Sequence, residues 1–201
     1  MATSADATLG RPRLFDEEAV LDELVGLFWR QGYAQTSMAD IVDASGVHKP
    51  SLYRTFGTKE ELFATVLRRY LTEREALLNE LIAACRPGIV GVHDFLDKIE
   101  ADALTDAGQY GCLFVNSATE LRGSAPGFEN FAGEYRAVIR CKIRSLVERV
   151  QPASNNLVDL RADLLYALVL GYRVIIRSSA DPEEARDTMV AIHAAVDAWQ
   201  A

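Results

Sequence analysis

The sequence predicts an all-α protein with a three-helix N-terminal head, joined by a long helix to a larger helical domain, and about nine helices in total. Apolar residues recur at three- and four-residue spacing along most of the chain, and no stretch shows the strict alternation of a β-strand. Capping residues, glycines and prolines mark the ends of these periodic segments. A chain of 201 residues is also long enough to bury a substantial core.

The first helix is expected to begin near Asp16 and to end at Gly32. Glu17 and Glu18 follow Asp16, and acidic side chains are favourable in the first turn of a helix. The positions that should face a core are Val20, Leu21, Leu24, Val25 and Phe28. Residues 1–9 are small and polar, and they indicate a flexible arm over residues 1–12, with Arg11 near its end and Arg13 directly after it. This arm is either a solubilising tail or a segment that carries arginines to nucleic acid.

Two short helices and a tight turn come next. Ser37 can cap the first of them, and Asp40 can reach back to its opening N–H groups. Gly46 should end this helix, because glycine readily takes the left-handed conformation that a sharp turn needs. Pro50 is tolerated in the first turn of the next helix, where N–H groups lack intrahelical partners. This order of elements is a helix-turn-helix, and together with the first helix it forms a domain that we place at residues 13–57.

The charge of this region differs from that of the whole chain. The formal net charge is -8, which argues against indiscriminate binding to nucleic acid or to anionic membranes. No acidic residue occurs between Gly46 and Lys59, whereas His48, Lys49 and Arg54 do. Phosphate oxygens favour such donors, and a helix N-terminus adds its own amides. Together with the turn and the caps, this window favours DNA contact over a merely solvated surface.

The region resembles the DNA-binding domain of the TetR (tetracycline repressor) family of bacterial transcription regulators. The resemblance covers roughly the first third of the chain, and the residues that carry it are Thr36-Ser37, Ile41-Val42, Gly46-Val47, Lys49, Ser51-Leu52-Tyr53, Phe56-Gly57 and Lys59-Glu60-Glu61-Leu62. It implies a homodimeric repressor that binds a palindromic double-stranded DNA operator and is released by an unknown small-molecule effector. The residues expected to contact DNA are Arg11, Arg13, Thr36, Ser37, His48, Lys49, Pro50, Ser51, Tyr53, Arg54 and Lys59.

A long helix is predicted after the head. Thr58 and Glu61 form a second capping box, and the apolar stripe that follows continues to about Cys85, roughly 40 Å at about 1.5 Å per residue. A helix that begins beside the DNA-contacting residues and ends deep in the rest of the chain would act as a lever. The family resemblance implies that residues 58–201 form a ligand-binding and dimerisation domain.

Five further helices are expected, near residues 90–104, 110–121, 128–150, 157–179 and 182–199. The last two carry apolar stripes, for which an internal core is the default interpretation. An antiparallel helix pair can also dock on its own copy as a four-helix bundle, and the family resemblance implies a dimer. The candidate dimer residues are Leu164, Leu168, Ile175, Met189, Ile192, Val196 and Trp199.

The middle helices could enclose a small-molecule cavity, as the resemblance implies. Each candidate could instead belong to an ordinary core. Asn116, Glu120 and Arg173 lie within apolar runs, and if buried they would need polar partners, either one another or a ligand. The candidate ligand-contacting residues are Phe95, Ile99, Tyr110, Cys112, Phe114, Asn116, Glu120, Phe131, Tyr135, Tyr166, Tyr172 and Arg173.

Cys112 suggests an alternative function, a regulator that senses oxidants or electrophiles through a thiol. It follows Gly111 at the start of a predicted helix, where N-terminal amides can lower a thiol pKa. The other interpretation is a small buried hydrophobic side chain. Cys85 and Cys141 complete an odd, widely spaced set that matches neither a disulfide framework nor a zinc site and fits a reducing cytoplasm.

Several other classes of protein are disfavoured. The sequence lacks G-x-S-x-G, H-E-x-x-H, Walker A and G-x-G-x-x-G patterns, so we expect no enzyme and no cofactor. His48, His93 and His193 are far apart in sequence and suggest no metal site. No apolar run approaches the roughly 18–20 residues of a membrane span, and the start lacks a signal-peptide pattern. The expected location is therefore the cytoplasm.

Overall fold

The computed structural model describes residues 15–121, 128–150, 154–179 and 181–200. Within those ranges the regular secondary structure is entirely helical, which confirms the predicted fold class. The helices are α1 (Glu17–Gln31), α2 (Met38–Ser45), α3 (Lys49–Phe56), α4 (Lys59–Ala83), α5 (Ile89–Ala103), α6 (Leu113–Glu120), α7 (Phe128–Val147), α8 (Asn155–Ser178) and α9 (Pro182–Asp197), with short 3-10 turns at Gly108–Tyr110 and Ala198–Gln200. The expected arm, with Arg11, and the adjacent Arg13 lie outside the described residues.

The helix starts of the head follow the predicted caps. The Ser37 hydroxyl accepts the Asp40 N–H at 3.2 Å, and the Asp40 carboxylate accepts the Ser37 N–H at 2.7 Å. Thr58 and Glu61 form the same reciprocal pair at the start of α4. Gly46 ends α2 with a φ of 65°, a conformation that costs glycine little because it has no Cβ. These local bonds fix where the head helices begin and turn.

Two hydrophobic clusters fill the part of the chain that the structure describes, and α4 takes part in both. The first packs α1, α2 and α3 against the N-terminal half of α4, where Phe63, Val66 and Leu67 are buried. The second joins α5, α7, α8 and α9 and includes Ile82 near the end of α4. Arg149 holds that end by donating to the Ile82 and Cys85 carbonyls at 2.9 and 2.5 Å. The long helix therefore connects the head mechanically to the rest of the fold.

The predicted helix near residues 110–121 is shorter in the structure. A 3-10 turn ends at Tyr110, Gly111 has a φ of 73°, and α6 begins only at Leu113. A Cβ built on Gly111 would lie 2.7 Å from the Arg173 carbonyl oxygen, so α8 passes too close for a side chain here. In the described part of the chain, no helix has the length and apolar character needed to cross a membrane.

Candidate DNA-binding face and ligand cavity

Helix α3 presents a polar and exposed surface around one buried anchor. Leu52 is buried against the head core, whereas Lys49, Pro50, Tyr53 and Arg54 are exposed. The Lys49 ammonium lies over the Tyr53 ring, 5.8 Å from its centroid. A lysine, an arginine and a phenol hydroxyl thus lie on the outside of a short helix, the kind of surface that phosphate binding needs.

The caps of α2 and α3 add further polar groups at helix starts. Ser37 and His48 occupy the two N-cap positions and are exposed, and Ser51 in the first turn of α3 is half-buried. The His48 side chain makes no capping bond to its own helix. A helix N-terminus carries partial positive charge and favours anions. These positions fit the phosphate-contacting assignment made from sequence.

Thr36 is a correction to that assignment. Its side chain is fully buried, and its hydroxyl donates to the Gly32 carbonyl at 2.6 Å. A buried hydroxyl satisfies its hydrogen-bonding need inside the protein, and here the bond closes the loop between α1 and α2. Thr36 therefore shapes the head and does not present a group to DNA.

Lys59 has an internal partner that the sequence did not indicate. Its ammonium donates to the Tyr33 carbonyl at 2.8 Å and lies 4.2 Å from the centroid of the Tyr33 ring. Partial burial lowers the pKa of Lys59, although nearby Glu60 acts in the opposite direction. Burial and Glu60 together raise the pKa of Tyr33 to about 12. Lys59 thus ties the start of α4 to the α1–α2 loop.

A cavity of about 120 Å³ lies where the two hydrophobic clusters meet. Its wall comes from α4, α5, α7 and α8, together with the start of α6. The lining residues are Tyr70, Arg74, Leu77, Leu78, Leu81, Phe95, Ile99, Asp102, Cys112, Phe114, Tyr135, Ile139, Ile143, Tyr166, Val169, Leu170 and Arg173. Leu77 is 44% exposed, so the wall reaches the protein surface at this residue. The cavity is mostly apolar, as ligand pockets usually are.

Seven of the residues predicted to contact a ligand line this cavity: Phe95, Ile99, Cys112, Phe114, Tyr135, Tyr166 and Arg173. The others need correction or stay outside the description. Tyr110 lines a different pocket beside Arg177. Tyr172 is buried in the second cluster. The side chain of Phe131 lies outside the described residues.

Asn116 and Glu120 are also displaced from the cavity, because each has a structural partner elsewhere. The Asn116 amide donates to the Tyr110 carbonyl at 3.0 Å. The Glu120 carboxylate is exposed and accepts the Ala34 N–H at 2.8 Å. Asn116 therefore stabilises the turn before α6, and Glu120 joins α6 to the α1–α2 loop of the head.

Sequence reasoning missed the contribution of α4 and one acidic residue of α5. Arg74 and Asp102 lie in charged segments, so neither stands out as a polar residue within an apolar run. The available signal was spacing, since Tyr70, Arg74, Leu77, Leu78 and Leu81 recur at three or four residues on one face of α4. That face supplies almost a third of the lining.

Comparison with known proteins decides the family. The family model for bacterial regulatory proteins of the tetR family matches residues 20–66. The HTH-type transcriptional repressor ComR of Escherichia coli (strain K12) is 39% identical over 182 residues, which cover 87% of this chain and 86% of that protein. The chain belongs to the TetR family. As a member of this family it is a DNA-binding transcriptional regulator, and the resemblance seen in the head is confirmed.

Two further similarities support this placement. The uncharacterized HTH-type transcriptional regulator YezE of Bacillus subtilis (strain 168) is 34% identical over 115 residues, 56% of this chain and 58% of that protein. The TetR family regulator CifR, solved as a cysteine mutant in complex with 26-bp double-strand operator DNA, superposes with a TM-score of 0.76 at 25% identity. That match covers 94% of this chain and all of the CifR chain.

In this TetR regulator, polar contacts join α1 of the head to α4, to α8 and to the loop before α6. The Trp29 indole of α1 donates to the Gly111 carbonyl at 3.3 Å. Arg177 of α8 donates to the Trp29 and Tyr110 carbonyls, both at 3.0 Å. Arg69 of α4 pairs with Glu18 and Asp22 of α1. A conformational change in α8 or in the loop before α6 can therefore reach the head through α1 as well as through α4.

The fold also brings together two histidines that are 100 residues apart. The rings of His93 and His193 stack with centroids 4.9 Å apart, and their Nδ1 atoms are separated by 2.7 Å. His93 contacts Asp197 and His193 contacts Asp97, at 2.9 and 3.3 Å. In the part of the chain that the structure describes, no group of three such ligands could hold a metal ion. The cluster joins α5 to α9.

The predicted dimer residues on α9 and in the 3-10 turn that follows it also need correction. Met189, Ile192, Val196 and Trp199 are all buried in the second cluster of the chain itself. Their apolar stripe packs against α5 and α8, which leaves these side chains no surface for a partner. On α8, Leu168 and Ile175 are half-buried, and Leu164 is 44% exposed.

Helix α8 does carry an apolar stripe that none of the described residues covers. Its members are exposed and follow a repeat of three and four residues: Leu157, Leu160, Leu164, Ala167, Gly171 and Val174. We call this set the α8 seam. The spacing is that of a helix that packs against another helix along its length. Gly171 has no atom within 4 Å of an added Cβ, so a second helix could approach closely there.

Proposed function

We propose that this TetR family regulator is a homodimeric repressor that leaves a palindromic operator when a small molecule occupies the cavity. The observation that carries this proposal is the course of α4. The helix starts at Lys59, shortly after the exposed surface of α3, and lines the cavity from Tyr70 to Leu81. A single rigid element thus spans the DNA-contacting head and the ligand site. Its ComR relative, a transcriptional repressor, supports the direction of regulation.

The DNA contacts assigned to this function come from α3 and the helix caps. Lys49, Tyr53 and Arg54 would bind phosphates and base edges in the major groove, and the exposed N-terminus of α3 would add its amides. Two such heads in a dimer would read half-sites about 34–36 Å apart. This chemistry requires no catalytic group or cofactor, and its place is the cytoplasm, where chromosomal DNA is accessible.

Release would follow from a difference in ligand affinity between two arrangements of the heads. A ligand that binds more tightly when α4 is displaced shifts the population away from the operator-binding arrangement. The bonds of Trp29 to Gly111 and to Arg177 of α8 would change with α4, because the Trp29 ring packs against Tyr70 of α4. The cavity would thereby set the spacing of the two heads.

The dimer would form along the α8 seam. In a symmetric dimer the same surface meets its own copy, and an exposed heptad-spaced apolar stripe suits that arrangement. Leu160 and Leu164 would supply the apolar contact, and Ala167 and Gly171 would allow close packing. Of the residues predicted on α8, this retains Leu164 in the seam, leaves Leu168 and Ile175 beside it, and leaves α9 to support α8 from within.

Replacing Tyr53 with alanine should weaken operator binding without unfolding the head. The Tyr53 side chain is 43% exposed, so its loss removes little core, whereas its hydroxyl is placed to donate to phosphate. Two lost contacts in a dimer should lower operator affinity by about tenfold to a hundredfold. Fluorescence anisotropy with upstream DNA gives the affinity, and circular dichroism gives the melting temperature.

Leu52→Ala is the matched control for Tyr53→Ala. Leu52 is the adjacent residue but only 1% exposed, so truncation should destabilise the fold by about 2–5 kcal/mol. If Tyr53→Ala instead lowers the melting temperature as much as Leu52→Ala, Tyr53 is a packing residue and the proposed DNA face needs revision.

A second candidate function, electrophile sensing, is favoured by the position of Cys112. Its side chain is half-buried, lines the cavity, and accepts a hydrogen bond from the Tyr70 hydroxyl at 3.7 Å. An electrophile that entered the cavity would meet this thiol. Addition to an activated alkene would form a C–S bond and leave the thiol proton on the neighbouring carbon.

N-ethylmaleimide should separate this alternative from reversible ligand binding. If Cys112 is the sensor, the reagent should release wild-type protein from its operator and leave Cys112→Ser bound. Cys141→Ser is the control, because Cys141 is an exposed thiol of α7 that does not line the cavity. Equal release of wild type and Cys112→Ser in gel retardation would rule this sensing mechanism out.

A further inference from the structure

One end of the cavity carries a charged cluster that the apolar lining does not explain. Arg74 of α4 donates to both Asp102 oxygens at 3.1 and 3.3 Å, and Arg173 of α8 donates to one of them at 2.6 Å. Among the described residues that line the cavity, these three are the charged ones. Two guanidinium groups share one carboxylate, so this end of the site has an excess of one positive charge.

The cluster is largely shielded from water, so solvent screens its excess positive charge only weakly. The exposed fractions of the Arg173, Arg74 and Asp102 side chains are 11%, 22% and 25%. Burial opposes the ionisation of Asp102, but Arg173 and Arg74 outweigh it and hold its pKa below the ordinary value. Asp102 is therefore an anion that compensates for one arginine only. A buried charge without a full counter-charge is costly and attracts an anion.

The guanidinium groups also retain donors for such an anion. Each carries five N–H groups in a planar fork, and a carboxylate can bind one edge of the fork with both oxygens. Arg74 reaches Asp102 through Nη1, and Arg173 does so through Nη2. A second carboxylate between them would give two guanidiniums and two carboxylates. Burial raises the pKa of Tyr135 and Tyr166, so both hydroxyls stay protonated as neutral donors in the same cavity.

We propose that the effector is a small carboxylate with an apolar body, whose carboxylate binds Arg74 and Arg173 and whose body lies among the aromatic side chains of the cavity. This rests on the proposed function, because it names the ligand of the same site. The volume of about 120 Å³ sets the size. A dry cavity of about 150 Å³ accommodates benzene, so the present space suits a body of one aromatic ring or a short branched chain.

Arg74 connects this binding site to the head. Its guanidinium lies over the Trp29 ring of α1, 4.7 Å from the centroid, and over the Tyr70 ring at 5.3 Å. Trp29 in turn donates to Gly111 and its carbonyl accepts from Arg177. A carboxylate that draws Arg74 toward Arg173 weakens the stacking of Arg74 on Trp29. It thereby weakens the contacts that hold α1 in place. The effector therefore acts on the head through the Arg74 side chain of α4.

Benzoate, benzamide and benzylamine test the proposal on the full-length protein. They share one ring and differ in head-group charge. Isothermal titration should show benzoate binding at least about tenfold more tightly than benzamide, since hydrogen bonds to charged groups exceed neutral ones by that order. Benzylamine should bind no better than benzamide. Equal affinity for benzoate and benzamide overturns the proposal.

Two variants locate the carboxylate within the protein. Arg173→Gln should lower benzoate affinity by about tenfold to a hundredfold and leave benzamide affinity unchanged. Arg86→Gln is the matched control, because Arg86 also pairs with an aspartate of α5, Asp94, but does not line the cavity. If Arg173→Gln does not fold, Asp102→Asn serves instead. Removing the competing carboxylate should raise benzoate affinity, and unchanged affinity in Asp102→Asn also overturns the proposal.

Gel retardation on upstream DNA separates this inference from the proposed function. A protein that is released from its operator equally by benzoate and benzamide remains a ligand-responsive repressor, but the carboxylate assignment fails. A protein that discriminates benzoate in titration yet retards no upstream DNA fails as a repressor, while the ligand class holds. Release by benzoate alone, lost in Arg173→Gln, supports both.

Discussion

Replacing Val196 with glutamate should unfold this regulator. Val196 has no exposed surface and lies within the core that α9 forms with α5 and α8. A carboxylate there would lose its hydration without gaining a partner, at a cost of several kcal/mol. That cost is comparable with the total stability of a typical domain, about 5–15 kcal/mol. Circular dichroism should show a large loss of helical signal or a melting temperature lower by well over ten degrees.

Val190→Glu is the control for this substitution. Val190 lies on the same helix, but 67% of its side chain is exposed, so glutamate there should retain the helical content. If Val196→Glu instead stays folded and becomes monomeric, Val196 lies at a subunit interface and the burial of the α9 stripe within one chain is wrong.

Replacing Leu164 with glutamate should give the opposite result, a folded monomer that no longer holds its operator. Leu164 lies in the middle of the α8 seam and is 44% exposed in the single chain, so a charge there is solvated in the monomer and buried only in the dimer. A lone head contacts one half-site. Operator affinity should therefore fall at least about a hundredfold, toward the non-specific range. Sedimentation velocity gives the mass and fluorescence anisotropy the affinity.

Leu104→Glu is matched to Leu164→Glu. Leu104 is a leucine exposed to 58% at the end of α5 and is not a member of the α8 seam, so its replacement should leave both the dimer and operator binding intact. A Leu164→Glu protein that still sediments as a dimer would place the interface on another surface. Together, the Val196 and Leu164 substitutions distinguish a core stripe from an interface stripe on neighbouring helices.

Local features of the sequence were sufficient to predict the head and most helix boundaries. A cap acts within three or four residues, so Ser37 with Asp40, and Thr58 with Glu61, could be recognised without knowledge of the fold. The left-handed turn at Gly46 is equally local. The charge pattern of α3 was also readable, because a surface helix keeps its polar residues in solvent. Thr36 is the exception, since its burial depends on the loop around it.

The tertiary structure decided which neighbour each stripe meets. An apolar stripe on α8 or α9 shows that one face is covered, but the covering element can be the same chain or a second copy, and periodicity is identical in both cases. Val196 and Leu164 looked equivalent in sequence and differ completely in burial.

The polar groups of the cavity likewise could not be brought together from the sequence alone. Arg74, Asp102 and Arg173 come from three helices and are separated by up to 99 positions in the chain. Each alone resembles a solvated surface charge or a chance polar residue in an apolar run. Because ion pairing depends on a separation of a few ångströms in space and not on distance along the chain, only the packing of α4, α5 and α8 brings them into one charged cluster.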